Sequence, residues 1–552
     1  MLTIILNWIY MLFTCFSIGF FFAWCVEKVF RYSIRRMDSI LMSGFIIATV
    51  YAQIFSLFYR VNIEANVVLS AVSILICIVM RKRIGQFLRQ SIGSASWPRR
   101  GMVLLLFFLW SFFASRAYYR VLDMDMYHGQ SIRWIEEYGV VKGLGNLHCR
   151  FGYNSSIFAV SALYSMRFLL GRSIHAVNGM IAFILCMGLL DLGKAFRRRK
   201  MLLSDYARAG AVYYLTTIYD EILAPSSDYA VMCLIFFIII KWLTILEDGD
   251  RQVRDHIAPY GLLCVAGVFA LTLKLSAGLL LLLTIKPACM LLKEKRWKET
   301  GIYIAMGLAV AVPWMTRTVL ITGWLLYPFA GLDLFQVDWK ISESIVKTDA
   351  YLIKIWAKCA NGLADTSLKA WIPYFFQNGL SFTERLLILA DIGSGVAVLG
   401  LAVSVIVRKR WKELDYLLVM AAVGCSYLYW QFEAPMMRYG YAYVLLLAAL
   451  AGGYFLEKVA LRKAVYFALM LYGAYKLYVC LDYVALFRTW PNYIWSETYD
   501  QYELESYEIG GETFYYSPYG GATGYDPFPS APTQADLELR GDGMKDGFRM
   551  RQ

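Results

Sequence analysis

The stretch from residue 4 to residue 25 reads IILNWIYMLFTCFSIGFFFAWC and contains no charged side chain. An apolar run of this length crosses a hydrocarbon core of roughly 30 Å as a helix. Comparable runs recur along the chain, in which 59% of the 552 residues are hydrophobic and 17% are charged. Soluble domains are about half apolar and about a quarter charged. The composition therefore excludes a soluble globular enzyme, and the length of the runs excludes an outer-membrane barrel of short alternating strands.

The charges around these runs predict a topology. No basic residue precedes the first run and the first cation after it is Lys28, the reverse of a cleavable signal peptide. We therefore expect a retained anchor helix with its N-terminus outside. The other basic residues form short clusters between runs, at 31–36, 81–83, 197–200, 293–298, 408–412 and 458–463. Cytoplasmic loops explain the net charge of +13 better than a nucleic-acid partner does.

With every basic cluster on the cytoplasmic side, the pattern predicts an all-α protein with about 14 transmembrane helices. They lie near residues 4–25, 38–59, 64–81, 101–117, 176–193, 205–222, 229–246, 257–273, 275–292, 301–318, 385–407, 414–431, 441–456 and 464–483. Counting residues 154–171 as a further span would place the cluster 197–200 outside, so we expect that segment to lie in the interface or to be re-entrant. The two runs around Lys274 could instead form a hairpin that dips into the membrane.

Three large regions are extracytoplasmic in this topology: residues 118–153, 319–384 and 484–552. The last is rich in Tyr, Gly, Pro and acidic residues but has no apolar periodicity, which predicts a small loop-rich cap, part of it strand. The 11 cysteines include no C-x-x-C pair, so no zinc or redox site is expected. Cys149 and Cys359 lie in long outer loops, where one disulfide between them is conceivable.

The first outer loop concentrates side chains that can do chemistry. It reads LDMDMYHGQSIRWIEEYG over residues 122–139 and brings Asp123, Asp125 and His128 within six residues. Carboxylates at a membrane surface can take a proton from an acceptor hydroxyl or hold a divalent cation against a phosphate. The alternative is a solvated helix start capped by one of the two aspartates. Residues 132–140 have the pattern of a short amphipathic surface helix.

The residues that follow are typical of a binding loop. GLGNLHCRFGYNSS, residues 143–156, is rich in glycine and amides and buries no obvious core. It lacks the G-x-G-x-x-G spacing, so a nucleotide-binding fold is not indicated. Its candidate substrate-binding residues are Asn146, His148, Arg150 and Asn154. His128 is a further candidate, which we expect to orient Asp125 or the substrate.

A long acidic first outer loop with a surface helix, many spans and a C-terminal outer cap together resemble the GT-C class of polytopic glycosyltransferases. More narrowly, D-x-D-x-Y-H followed by G-L-G-N-L-H-x-R-x-G-x-N-S-S, residues 123–156, resembles a largely uncharacterised group of bacterial membrane proteins associated with surface polysaccharide synthesis. Weaker similarities follow at 313–317, 327–328, 338–339, 434–440, 539–541 and 547–549. The resemblance implies a GT-C-like core over residues 101–483, additional helices over 1–100 and the cap over 484–552.

The resemblance also implies an activity. The first-loop acid of GT-C enzymes is the catalytic or metal-holding carboxylate, which corresponds to Asp123 or Asp125, and the division of labour between the two stays open. The donor would be a polyprenyl-phosphate sugar and the acceptor a glycan or lipid-linked saccharide, at the outer face of a bacterial inner membrane. Direct displacement would invert the anomeric carbon. A divalent cation, Mg or Mn, is the one candidate cofactor, with Asp125 and Asp228 as its ligands.

Charges at membrane depth are costly unless they are paired or face a cavity. Arg317 and Arg438 lie at the outer ends of spans, where a guanidinium can grip a polyprenyl phosphate or snorkel to the headgroups. Lys274 and Glu433 are two further charges at such depth.

Other polar and aromatic residues fall on the same expected outer side. Asp220, Glu221 and Asp228 can orient an acceptor or hold a metal, or can belong to a solvated loop. Asp338 and Trp339 are candidate substrate-binding residues, because tryptophan stacks on sugar rings, although tryptophans also gather at membrane interfaces.

Two other functions share parts of this pattern. A polysaccharide polymerase or ligase would use a pyrophosphate-linked oligosaccharide and would depend on Arg317 and Arg438 rather than on Asp123 and Asp125. A lipid or glycan transporter would show internal repeats and helices broken at mid-membrane. The sequence shows no convincing repeat, and its polar residues concentrate at the expected outer surface, which favours the transferase.

Overall fold

The computed structural model describes residues 1–93, 95–115, 122–198, 200–359, 367–409, 411–456, 462–483, 494–495 and 499–551. The described residues are mostly helical, at 71%. In these ranges, 8 helical segments are long and apolar enough to cross a membrane. They are Leu2–Phe30, Met37–Phe58, Val177–Ala195, Ser227–Leu246, Arg251–Leu273, Leu275–Lys293, Trp297–Thr322 and Phe382–Val407. The chain therefore has the helices of a membrane-embedded, multi-pass protein.

The α-helices follow one another in this order: α1 Leu2–Phe30, α2 Met37–Phe58, α3 Ile63–Val79, α4 Arg81–Gly93, α5 Trp97–Ala114, α6 Gly129–Glu137, α7 Ser156–Leu163, α8 Arg167–Leu170, α9 Val177–Leu189, α10 Leu192–Arg198, α11 Leu203–Leu215, α12 Ser227–Leu246, α13 Arg251–Arg254, α14 Ile257–Leu273, α15 Ile285–Lys293, α16 Trp297–Thr322, α17 Glu343–Ala357, α18 Leu368–Asn378, α19 Phe382–Val407, α20 Leu414–Glu433, α21 Tyr441–Leu456 and α22 Arg462–Tyr483. A π-helical turn, Met124–His128, precedes α6, and a 3-10 helix, Leu275–Thr284, precedes α15. Five short strands follow: β1 Glu505–Ile509, β2 Glu512–Tyr516, β3 Ser530–Ala531, β4 Leu537–Leu539 and β5 Phe548–Met550.

The expected number of about 14 spans is not reached in the described ranges. The count is 8, or 9 if α3 and α4, which meet at a bend of 82°, form one broken span. The expected span 205–222 contains α11, whose 13 residues rise only about 20 Å. α21 is likewise a shorter apolar helix, and α5, α20 and α22 are long enough but less apolar. The expected span 101–117 also runs into residues that the structure does not describe.

The two ends of the helix bundle carry different residues: basic side chains lie at one end and the candidate site loops lie at the other. At the basic end, Arg36 pairs with Asp38 at 2.8 Å and with Asp191 at 2.6 Å, and Arg99 and Lys241 contact the same two carboxylates. At the opposite end, which we call the loop end, the backbone N–H of Val140 donates to Ser56. The predicted basic loops and the candidate site loops are therefore separated by the length of α2, which runs from one end to the other.

Close helix packing holds the first two spans together. A Cβ on Gly44 of α2 would lie 1.8 Å from the carbonyl oxygen of Cys15 in α1, so only glycine fits there. Gly19 of α1 makes the reciprocal close approach, with a Cβ that would lie 2.0 Å from the Ile40 carbonyl oxygen. Small residues that let helix backbones approach are typical of packing within membranes.

The segment 154–171 forms the short helices α7 and α8. All eight residues of α7 are buried, and α7 packs against α2, α6, α12 and α14. An interfacial amphipathic helix would leave one face exposed, so α7 is instead an apolar segment enclosed by other helices. The runs on either side of Lys274 pack against each other as a hairpin, and both are long enough to count as spans.

The tail, residues 499–551, contains all five strands and folds over α6. β1 and β2 form an antiparallel hairpin that pairs Ile509 with Glu512 across Gly510 and Gly511, both at positive φ. β3 pairs parallel with β2, and β4 pairs antiparallel with β5.

The tail covers α6, which the sequence predicted as a surface helix. The rings of Phe528 and Phe548 lie 4.9 and 5.8 Å from Trp134 of α6. Gln130 Nε2 donates to three tail carbonyls, and its Oε1 accepts from the N–H of Ser530. Eight of the nine residues of α6 are consequently buried, and the expectation of an amphipathic helix at the surface is wrong for this reason.

Candidate functional site

Four charged side chains from distant parts of the sequence meet at the loop end. Arg438 Nη2 lies 2.7 Å from Asp123 Oδ2, and Arg438 Nε lies 3.1 Å from Asp228 Oδ2. The other oxygen of Asp228 pairs with Lys274. Arg438 thus joins two carboxylates, one of them 315 residues away in sequence. We call these four residues, together with Arg150, the charged cluster.

Local structure places each member of the charged cluster. Asp228 lies in the first turn of α12, where Ser226 caps the helix and the helix dipole favours a carboxylate. Arg438 belongs to a 3-10 turn, Met437–Tyr439, that joins α20 to α21. Lys274 is the extended residue, at φ −155°, that interrupts α14 before the following 3-10 helix. Helix ends and breaks therefore supply the charges.

Arg150 brings a third cation. Its Nη1 lies 3.3 Å from the second oxygen of Asp123, and its guanidinium lies 5.7 Å from the centre of the Tyr127 ring. Lys274 Nζ lies 3.5 Å from the centre of the Tyr439 ring, whose hydroxyl accepts from Arg438. The charged cluster therefore holds three cations and two carboxylates. The excess of positive charge, partly shielded from water, suits an anionic ligand such as a phosphate.

The electrostatics keep Asp123 ionised. Burial by itself would raise the pKa of the Asp123 carboxyl, but His128, Arg438 and Arg150 together hold that pKa below its ordinary value. Burial lowers the pKa of His128 to about 4, so its imidazole is neutral at pH 7 and the two arginines are the charged neighbours of Asp123 at that pH. The loop thus presents an ionised carboxylate beside a neutral histidine.

A cavity of about 290 Å³ opens beside the charged cluster. Arg438 lines it, together with Glu221, whose carboxylate accepts from the hydroxyl of Tyr229. Burial raises the pKa of Glu221 above its ordinary value. The other lining residues are Tyr214, Thr217, Ile218, Ala357, Cys359, Phe375, Gly379, Glu384, Met436, Met437 and Tyr441. Aromatic rings beside carboxylates and one guanidinium can accommodate a small polar molecule.

The donor atoms do not fit the divalent cation that the resemblance implies. Both oxygens of Asp228 and both oxygens of Asp123 already contact cationic side chains. Within the described ranges, no group of three or more His, Cys, Asp or Glu side chains could hold a metal ion. A metal at Asp228 would have to displace Lys274 or Arg438.

Asp125 and His128 are buried next to the charged cluster. The backbone carbonyl of Asp125 accepts from the N–H groups of Thr523 and Gly524 at 2.9 and 2.8 Å, which anchors the tail. The ring of His128 packs against the rings of Tyr127 and Phe158, at 4.4 and 5.2 Å. Asp125 thus contributes its backbone to tail attachment, and the carboxylate of Asp123 contacts two arginines.

Four candidate residues support the loop rather than the charged cluster. Asn146 Nδ2 donates to the Trp339 carbonyl at 2.8 Å, and His148 Nδ1 accepts from the backbone N–H of Arg150 at 3.3 Å. Asp338 accepts two hydrogen bonds from Arg540 of the tail, at 2.7 and 3.1 Å. The same guanidinium lies 4.7 Å from the centre of the Trp339 ring. These contacts tie together residues 143–152, the loop after α16 and the tail.

Arg317 lies away from the charged cluster, fully buried in α16. Its Nε donates to Asn154 Oδ1 at 3.0 Å, and its Nη1 donates to Ser56. No carboxylate among the described residues pairs with it. Asn154 in turn donates to the Trp314 carbonyl and to Thr318. The structure therefore gives Arg317 and Asn154 a place in helix packing and does not bring them to the cavity.

The two outer-loop cysteines are not joined. Cys149 Sγ lies 3.7 Å from Asp349 Oδ1, and Cys359 is exposed; both thiols are free. The disulfide that the sequence left open is therefore not formed.

A family model described as a domain of unknown function, DUF8201, matches residues 1–445. The chain belongs to this family. The matched DUF8201 region includes Asp123, Asp228, Lys274 and Arg438, whereas the tail lies beyond it. No curated protein and no solved structure matches the chain. The GT-C fold therefore stays a prediction.

The sequence singled out Lys274 only as a charge at membrane depth, and Glu221 as a group that can orient an acceptor or hold a metal. Lys274 was recognisable as a single cation between two long apolar runs, a placement that costs several kcal/mol unless the charge is paired. Glu221 stands close to Asp228 in sequence, in a segment that also suits a solvated loop. Tyr439 carried no signal of its own, because tyrosine is common throughout the chain.

Proposed function

We propose that the protein is a GT-C-like, inverting membrane glycosyltransferase. It transfers a sugar from a polyprenyl-phosphate donor to a glycan or lipid-linked acceptor, at the outer face of a bacterial inner membrane, during synthesis of a cell-surface polysaccharide. The observation that carries the proposal is the bridge from Asp123 through Arg438 to Asp228, beside a cavity of about 290 Å³. A carboxylate next to surplus positive charge is what transfer from a phosphate-linked sugar requires.

Each step of the transfer has a candidate group. The acceptor oxygen forms a bond to the anomeric carbon, while the bond from that carbon to the phosphate oxygen breaks and its electron pair leaves with the polyprenyl phosphate. The acceptor proton passes to Asp123. Arg438 and Lys274 stabilise the charge that develops on the leaving phosphate. The position of Asp123 supports this residue, rather than Asp125, as the base.

A polysaccharide polymerase or ligase is the second candidate. The charged cluster has one more cation than it has carboxylates, since Arg438, Lys274 and Arg150 face two aspartates. This excess of positive charge also suits the larger negative charge of a pyrophosphate. Such an enzyme would depend on Arg438 and would tolerate the loss of the Asp123 carboxylate.

Complementation of a deletion strain tests the proposal. Asp123→Asn, Arg438→Lys and a control, Asp333→Asn, are compared for surface-glycan composition, with the membrane level of each variant measured. Asp333 pairs with Lys340 in a loop at the same end of the bundle and touches no member of the charged cluster. We expect wild type and the control to restore a missing sugar and Asp123→Asn not to restore it. Full restoration by Asp123→Asn with failure of Arg438→Lys would favour the polymerase, and restoration by both would refute both functions for this site.

A further inference from the structure

An apolar groove of about 1100 Å³ lies far from the charged cluster, between the first three helices. Ile18, Phe21 and Trp24 of α1 form one wall. Ile47 and Tyr51 of α2 form the floor with Leu69, and the remaining wall consists of aliphatic side chains of α3. The groove belongs neither to the cavity at Arg438 nor to any contact with the tail.

The mouth of the groove is positively charged. Arg81, Lys82 and Arg83, at the start of α4, line the groove beside Met80 and Val79. The Arg83 guanidinium lies 5.9 Å from the centre of the Trp24 ring. The indole N–H of Trp24 is buried and has no hydrogen-bond partner among the described residues. Three cations therefore line the same opening beside the Trp24 ring, which suits a phosphate and its neighbouring ester oxygens.

The geometry of α4 fits a membrane surface at this mouth. α4 turns from α3 by 82°, and its sequence RKRIGQFLRQSIG separates basic from apolar residues. Phe87 of α4 packs against Phe20 of α1, with ring centres 5.4 Å apart. A basic amphipathic helix set across the axis of a spanning helix is typical of a segment that lies at the headgroup level.

The length of the groove matches one leaflet. From Val68 to Arg81, which both line the groove, the chain rises about 20 Å at the helical rise per residue. One leaflet contributes about 15 Å of the hydrocarbon core, half of roughly 30 Å. The groove is therefore long enough to hold the acyl chain of one leaflet with its headgroup at Arg81–Arg83.

We propose that the groove between α1, α2 and α3 binds one chain of an anionic membrane phospholipid, whose phosphate contacts Arg81, Lys82 and Arg83. The site is structural or regulatory, and it is independent of sugar transfer at the loop end.

The test uses the purified full-length protein in detergent, with lipid binding counted by native mass spectrometry. The probes are phosphatidylglycerol and phosphatidylcholine with identical acyl chains, and polyprenyl phosphate. Wild type is compared with R81Q/K82Q/R83Q and with a control, K293Q/K295Q/K298Q, which removes three cations from another basic cluster. Val72→Trp fills the groove. If Val72→Trp does not elute as a folded protein, Leu75→Trp, nearer the exposed rim, replaces it.

We expect wild type to bind phosphatidylglycerol at least about tenfold more tightly than phosphatidylcholine, because the three basic residues attract its net negative charge, which the choline cation cancels in phosphatidylcholine. R81Q/K82Q/R83Q should lose this preference, the control should keep it, and the tryptophan variant should bind both lipids more weakly. The proposal would be overturned if wild type bound the two lipids equally, or if the control lost the preference for phosphatidylglycerol as fully as R81Q/K82Q/R83Q does. Retained binding by the tryptophan variant would overturn it as well. Binding of polyprenyl phosphate without phosphatidylglycerol would assign the groove to the donor's chain instead.

Discussion

Replacing Arg438 with glutamine should destabilise the loop end by a measurable amount. Removing one partner of a buried ion pair costs about 3–5 kcal/mol when it leaves an uncompensated charge. In the variant, Asp123 still pairs with Arg150 at 3.3 Å and Asp228 still pairs with Lys274, and the Arg438 side chain of the wild type is already 21% exposed. We therefore expect Arg438→Gln to lower the free energy of unfolding by about 1–3 kcal/mol.

Reversible unfolding in mixed micelles, followed by tryptophan fluorescence, gives this value. A double-mutant cycle with Asp228→Asn should show a coupling of about 1–2 kcal/mol, because the two side chains lie 3.1 Å apart. Arg251→Gln is the matched control: this arginine pairs with Asp255 at 3.0 Å but is 85% exposed, so its loss should cost at most about 0.5 kcal/mol. Equal stability of Arg438→Gln and Arg251→Gln, or no coupling to Asp228, would refute the bridged arrangement.

Three further predictions concern pH, buried charge and helix packing. Burial raises the pKa of Glu136, which accepts from Tyr525 and Ser173, to about 7. Between about pH 4.5 and pH 7 the folded state therefore holds a proton that the unfolded state has lost, so the free energy of unfolding should fall as the pH rises through this range. Hydrogen exchange of residues 523–531 should detect this loss of stability in wild type and should not detect it in Glu136→Gln. Arg317→Met should reduce the yield of folded protein, because it removes the hydrogen bonds that Arg317 donates to Asn154 and Ser56. Thermal unfolding should therefore show a loss of stability rather than a selective loss of activity. Gly44→Ala should lower the free energy of unfolding by at least about 3 kcal/mol, because the new Cβ would meet the Cys15 backbone. Gly85→Ala is the control: Gly85 has open space around it, so this change should be neutral in the same assay.

Charge placement was the most informative signal in the sequence. Asp123, Asp228 and Arg438 all stand at the ends of long apolar runs, where an unpaired charge is costly, and this pattern predicts that each has a partner or a function. The identity of the partner could not be predicted, because Asp228 of α12 and Arg438 in the turn before α21 are 210 residues apart in sequence. Their relative depth is set by packing between helices, which hydropathy does not encode.

The expected number of about 14 spans is not confirmed among the described residues for a related reason. Hydropathy alone does not distinguish a helix that faces lipid from one enclosed by other helices. α11, for example, packs against α9, α12 and α21 and ends at Leu215 in a series of turns. The burial of α6 was equally hidden, since its pattern shows an apolar face but not that the tail covers the opposite one.

Release of polyprenyl phosphate by the purified protein in liposomes tests the central proposal most directly. A lipid extract from the host membranes supplies the lipid-linked sugars, and the free polyprenyl phosphate and pyrophosphate are quantified after transfer. We expect wild type and Asp333→Asn to release the monophosphate at equal rates and Asp123→Asn to be slower by about 10²-fold or more, the usual contribution of a general base. Equal rates for all three proteins, or release of pyrophosphate instead, would contradict the proposed transferase.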